Sequence, residues 1–163
     1  MIILGVDPGI AIVGWGVIKY HLNKYTALGF GAVTTPAGMD FPARLKLVYD
    51  GISEVVSQYK PEYMAVEELF YNNNAKTVIQ VAQGRGAAIL ACANQNMMIA
   101  EYTPLQVKQA VAGYGRADKA QVQQMAKTLL HLKAVPKPDD TADALAIAIC
   151  HANSFNFNAL LKG

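Results

Sequence analysis

Met1-Ile2-Ile3-Leu4-Gly5-Val6-Asp7-Pro8-Gly9 opens the chain with an apolar, branched run that ends on a carboxylate and a turn. Branched apolar residues over 2–7 predict a buried strand, and Asp-Pro-Gly predicts a tight turn after it. Residues 12–19 alternate around Gly14 and Gly16, and residues 25–34 form a third strand-like stretch. The opening therefore reads as an antiparallel meander of three strands. From Pro42 to Tyr59 the period changes: Leu45, Val48, Ile52, Val55 and Val56 recur at helical spacing, and Pro61 follows the stop. Residues 63–68 return to strand. Residues 75–94 read as helix, with Val78, Val81, Ala82 and Ile89 on one side, and residues 97–103 as strand. Helical stretches follow at 104–112, 118–131 and 139–152, separated by Gly-Tyr-Gly and proline-rich breaks. The order β-β-β-α-β-α-β-α-α-α predicts an α/β fold: a mixed five-stranded sheet, three antiparallel strands extended by parallel ones and flanked by helices. No repeat or linker interrupts residues 1–163, which read as a single domain.

The composition supports a packed core. Of 163 residues 53% are hydrophobic and 16% charged, which excludes a disordered chain. The formal charge of +2 is mild; nucleic-acid binding would depend on a local basic patch. Cys92 and Cys150 lie far apart in apolar, small-residue segments and read as buried thiols. His21, His131 and His151 have no metal-type spacing, and His151 reads as a helix-end residue. No signal peptide and no run of about 20 apolar residues is visible, so a cytoplasmic location is expected.

Acidic residues interrupt three apolar stretches. Asp7 ends the first strand, Glu67 and Glu68 end Tyr-Met-Ala-Val, and Asp139, Asp140 and Asp143 precede Ala-Leu-Ala-Ile-Ala-Ile. Carboxylates beside so much apolar surface are costly unless paired. Converging carboxylates suit a hard divalent cation such as magnesium, and a metal pair about 3.5–4 Å apart suits in-line phosphodiester displacement. Each acid also has a structural account. Asp7 can cap its turn, the glutamates can be solvated at a strand edge, and acids in a first helical turn complement the helix dipole. Strand alternation sends Glu67 and Glu68 to opposite faces, so only one joins a given site. Asp143 shares a helical face with either Asp139 or Asp140, and spacing alone leaves both open.

Four segments together resemble a known family. Gly-Val-Asp-Pro-Gly (5–9), Ala-Val-Glu-Glu-Leu-Phe (65–70), Gln-Val-Lys-Gln-Ala-Val-Ala-Gly (106–113) and Asp-Thr-Ala-Asp-Ala-Leu-Ala-Ile-Ala (140–148) are similar, in order and spacing, to the RuvC family of Holliday junction resolvases. Each motif alone is moderately specific; the four in register are highly specific. The resemblance implies an RNase H-like fold. It also implies a homodimeric, magnesium-dependent crossover junction endodeoxyribonuclease that makes paired nicks in four-way DNA, leaving 5′-phosphate and 3′-hydroxyl ends, in recombination and repair. It implies that Asp7, Glu67, Asp140 and Asp143 are the catalytic and metal-binding acids. Two magnesium ions per site are expected, with manganese able to substitute, and the branch-migration proteins RuvA and RuvB are the expected partners. Cleavage in short thymine-containing sequences is a further implication.

The same resemblance makes Phe70 a stacking residue at the junction, although a core phenylalanine at a strand end is an equal reading. It places Lys108 and Lys119 near DNA, where the ordinary alternative is solvated helix lysines. Lys76, Arg85 and Arg116 are weaker candidates for phosphate contacts. Gln83-Gly84-Arg85-Gly86 resembles the family's dimer helix, and close packing would explain two helical glycines that cost about 1 kcal/mol each. Three rivals compete. Actin-like ATPases share the strand–turn–strand but need two such domains. Shorter ribosomal-RNA nucleases share the fold, but the third and fourth motifs favour the resolvase. A non-catalytic junction binder would not need all four acids.

Overall fold

Side chains alternate along the first strand, β1 (Ile2–Asp7), and this assigns the other elements to the two sides of the sheet. The computed structural model describes the backbone of residues 1–69 and 75–161, and side chains up to residue 155. β1 pairs antiparallel with β2 (Ile12–His21), which pairs antiparallel with β3 (Lys24–Thr34). On its other side β1 pairs parallel with β4 (Tyr63–Glu67), and β4 pairs parallel with β5 (Met98–Tyr102). The order across the sheet is β3-β2-β1-β4-β5, the mixed five-stranded arrangement that the sequence predicts.

Leu4 and Val6 point into a layer with Val48, Ile52, Val55 and Val56 of α1 (Phe41–Tyr59) and Ala88, Ala91 and Cys92 of α2 (Ala75–Ala93). Ile3 points the other way, into a layer built by α3 (Pro104–Ala112), α4 (Lys119–Leu129) and α5 (Asp139–Leu161). Local chemistry sets the ends. Thr103 with Gln106 and Asp118 with Gln121 form reciprocal capping boxes at the starts of α3 and α4, each cap stabilising its helix by about 1 kcal/mol. Gly113 ends α3 in the left-handed region at φ 87°.

α5 lies directly on the sheet. A methyl group at Gly5 would collide with the Ala144 carbonyl, and one at Gly14 with the Asp140 carbonyl. Because Gly14 pairs with Asp7 across β1 and β2, this close approach sets the start of α5 beside the end of β1. The Thr141 hydroxyl then donates to the Gly31 carbonyl of β3 at 3.0 Å.

Four sequence expectations are corrected. The β2–β3 hairpin runs longer than 12–19 and 25–34, closing through Leu22 and Asn23, both at positive φ (48° and 59°). Only Asn23 gives a turn signal, since leucine rarely takes that conformation. α5 continues to Leu161 instead of stopping at 152, and His151 is an interior, buried residue, not a helix end. The polar residues after it, which resemble a stop, have partners: Asn153 donates to the Ala110 carbonyl at 2.9 Å and Ser154 to the Cys150 carbonyl at 2.9 Å. The buried face of α2 is Gly84, Ala88, Ala91 and Cys92, whereas Ala82 is exposed and Val78, Val81 and Ile89 are half-buried. Size decides that face, because a methyl at Gly84 would collide with the Gly9 carbonyl. Cys92 and Cys150 are buried as expected, and burial pushes both thiols up to about 12.

Candidate active site

β1 and β4 are adjacent and parallel, so they deliver their last residues to the same edge. Val6 pairs with Val66 in register, which places Asp7 and Glu67 side by side at the carboxyl ends of the two strands. Met64 and Val66 belong to the α1–α2 layer and Ala65 to the α5 layer, so alternation turns Glu67 toward α5, on the side of Asp7. α5 begins beside them with Asp140 and, one turn later, Asp143. A pocket lined by Asp7, Glu67, Asp143, Lys108 and Lys119 opens between these elements, floored by Val107, Val122, Ala146 and Ile147.

The electrostatics show how closely the acids interact. Burial, then Asp143, Glu67 and Asp140, push Asp7 up to about 8, against a smaller opposing pull from Lys119. Glu67 is also raised, by burial and by Asp143, with Lys119 and Lys108 opposing. Asp143, Glu67 and Asp140 thus all act on Asp7, while Asp140 is not among the residues that line the pocket. Lys119 opposes them: its ammonium pairs with Asp143 at 2.7 Å, and that hydrogen bond is the main reason its own pKa is raised. Asp139 instead pairs with Lys137 at 2.6 Å in solvent, and that contact holds it below the usual carboxylate range. Register thus turns Glu67, and not Glu68, toward Asp7, and Asp139 pairs with Lys137 whereas Asp140 acts on Asp7.

Among the described residues, no three acids stand in a ligating arrangement around one point. Asp143 is held by Lys119 and by the Gln123 amide, which donates to it at 2.9 Å. The donor set nevertheless fits a hard divalent cation. It is all carboxylate, its lining has no histidine or thiol, and burial together with three neighbouring acids pushes Asp7 up to about 8, a cost that a bound cation would relieve.

The other expected residues divide. Lys108 and Lys119 line the pocket, while Lys76 and Arg116 are exposed outside it. Phe70 lies outside the described residues. Arg85 does not face solvent as a phosphate contact would; its Nε donates to the Glu67 carbonyl at 3.1 Å and its Nη2 pairs with Glu101. Gln123 is missing from the sequence reading. Its signal is a glutamine four residues after Lys119 on a face otherwise marked by Val122 and Ala126, where a buried amide demands a partner.

A mixed five-stranded sheet with acids at the ends of its central parallel strands and at the start of the helix crossing it defines the RNase H-like class. The comparisons are narrower. The family model described as crossover junction endodeoxyribonuclease RuvC matches residues 3–151. Proteins of that name from Clostridioides difficile and Alkaliphilus oremlandii are 60% and 57% identical over 162 residues; each alignment spans 99% of this chain, and 96% and 99% of the respective relative. The solved structure of Thermus thermophilus RuvC in complex with Holliday junction substrate superposes with a TM-score of 0.92 at 34% identity, covering 97% of this chain and 96% of that one. This chain belongs to the RuvC family.

Proposed function

We propose that this protein is a structure-selective endonuclease that resolves four-way DNA junctions by paired symmetric nicks, with Asp7, Glu67, Asp140 and Asp143 as its catalytic acids. The carrying observation is that Asp7, Glu67 and Asp143 line one pocket, with Asp140 near enough to act on Asp7; burial and these three neighbours together push Asp7 up to about 8. Divalent metal, magnesium with manganese as substitute, would be held by these oxygens. When bound, it supplies the Lewis acidity and water activation that phosphodiester hydrolysis needs.

The residues then have distinct tasks. Asp7 would hold the cation as a carboxylate, and Glu67 beside it would complete the acidic wall. Asp143, already beside them, would exchange its Lys119 contact for the cation, which would free the ammonium for the scissile phosphate. Lys108, on the same pocket wall, offers a second positive charge there. Arg116 and Lys76 would contact phosphates farther away, and Phe70 would stack on an unpaired base. Gln123 holds Asp143 in a fixed orientation while it changes partners.

Paired nicks need two sites, and α2 supplies a surface for a second copy. Ile79 and Leu90 are 59% and 53% exposed on it, and the space around Gly86 is open. A two-fold dimer would match the two-fold symmetry of the junction. RuvA and RuvB are the expected partners in the cytoplasm; no described helix is long and apolar enough to cross a membrane.

The test uses synthetic four-way DNA, duplex DNA and structured RNA, each with magnesium and with chelator. Asp7→Asn and Asp143→Asn should abolish nicking of the four-way substrate while its binding survives. Metal-dependent nicking retained in either variant, or equal nicking of all three substrates, would overturn the assignment.

A further inference from the structure

We propose that Arg85 is a positioning residue: from the α2 side of the sheet it clamps the last peptide of β4 and so sets where Glu67 presents its carboxylate. This rests on the reading of Glu67 as an active-site acid.

The contacts divide one guanidinium between two strands. Arg85 Nε donates to the Glu67 carbonyl at 3.1 Å, and Nη2 forms an ion pair with Glu101 of β5. In register, Glu101 pairs with Val66, the residue before Glu67. Val66 faces the α1–α2 layer, so Glu101 points to the side from which Arg85 arrives. The Arg85 side chain is 14% exposed, so its stem is packed and its planar fork is held in one direction.

Glu67 is the last residue of β4, at an end where strands fray unless held; the Glu68 N–H of its peptide donates to the Tyr102 carbonyl at 2.8 Å, and Arg85 holds the carbonyl of that same peptide. A carboxylate on a fraying peptide sweeps a range of positions, and a metal site tolerates little displacement of its donors. The neighbouring helical residue adds a second restraint. Gly84 packs against the Gly9 carbonyl, in the turn that follows Asp7. One turn of α2 therefore touches the chain just beyond Asp7 and the peptide that carries Glu67. Two acids from two strands are referenced to one rigid helix, from the side opposite the pocket.

The experiment separates this role from a phosphate contact. Wild type, Arg85→Met, Arg85→Lys and Glu67→Gln are compared as full chains. Manganese binding is measured by calorimetry without DNA, nicking of a four-way junction as a function of manganese concentration, and junction affinity in chelator. Loss of an outer partner of a metal ligand commonly weakens metal binding by about 10-fold or more. Arg85→Met should show that loss, in calorimetry and in the half-saturating metal concentration, with junction affinity in chelator unchanged. Arg85→Lys keeps the charge but not the fork, and should recover part of it. Unchanged metal dependence, or a loss confined to junction affinity, overturns the proposal. Glu67→Gln is the separate control: if it nicks like wild type, the reading of Glu67 fails whatever Arg85 does. Should Arg85→Met not fold by circular dichroism, Glu101→Gln decides, since Glu101 is 52% exposed and tolerates change. A shift to higher metal requirement supports the clamp, and no shift overturns it.

Discussion

Burial and three neighbouring carboxylates push Asp7 from 3.8 up to about 8, so the folded chain keeps a proton there that the unfolded chain has released. The folded state binds more protons than the unfolded one between these values, and stability from this group falls as pH rises from about 4 to about 8. The slope is at most about 1.4 kcal/mol per pH unit. Asp7→Asn removes the titration but keeps the shape. In chelator it should melt above wild type at pH 8, with the gap closing toward pH 4, as followed by calorimetry. An equal gap at every pH would mean that Asp7 is not held in the repulsive field. By the proposed role of Asp7, the variant should gain stability where it loses activity, as expected when an acid is kept in place for chemistry. At this scale much was legible, because the acids stand out against apolar runs. Spacing alone left Glu67 or Glu68 and Asp140 or Asp139 open, and only the resemblance chose between them, because the register of β4 on β1 and the Lys137 contact are tertiary features. Gln123 escaped because an amide on a helix carries no sign of its partner until α4 meets α5.

Elements place these residues, and α5 does most of the placing. Its first turn reaches the sheet only because Gly14 has no side chain, so Gly14→Ala sets the added methyl against the Asp140 carbonyl. Overpacking of this kind costs about 1–3 kcal/mol, and a displacement near 1 Å at reacting groups can cost about 100-fold in rate. The variant should therefore lose several degrees in melting temperature and, in single-turnover nicking, a larger share of activity than of junction binding. Gly38→Ala, at an open surface position, is the matched control and should change neither. Equal nicking by both variants would show that the start of α5 adjusts without consequence. The meander, α1 and the capped α3 and α4 were legible from period and end signals. The length of α5 was not, since its last turns hold polar groups whose partners, Ala110 and Cys150 carbonyls, are invisible in a local reading. The buried side of α2 was missed because hydrophobicity marked Val78 and Val81, while contact with the Asp7 turn selected Gly84.

At the scale of the molecule the outer side of α2 is the unsettled surface, and its pattern argues for a second copy. Ile79, Gln83, Gly86 and Leu90 recur at spacings of three and four, which puts them on one face. Two large apolar side chains flank a glycine there, a shape that lets another helix come close. Leu90→Glu places a charge at the edge of that contact. Because Leu90 is exposed in the single chain, the substitution should change its folding stability by no more than about 0.5 kcal/mol. In a dimer the same carboxylate would meet its symmetry mate and apolar surface, and association should fail. Light scattering should then report a monomer. Each site should still nick, since all four acids come from one chain, but nicks on the two strands of a junction should become independent. Supercoiled cruciform plasmid separates the outcomes. The dimer should yield linear product directly, and the monomer should accumulate nicked circles. Linear product at the wild-type rate from a proven monomer would leave α2 no part in pairing the cuts.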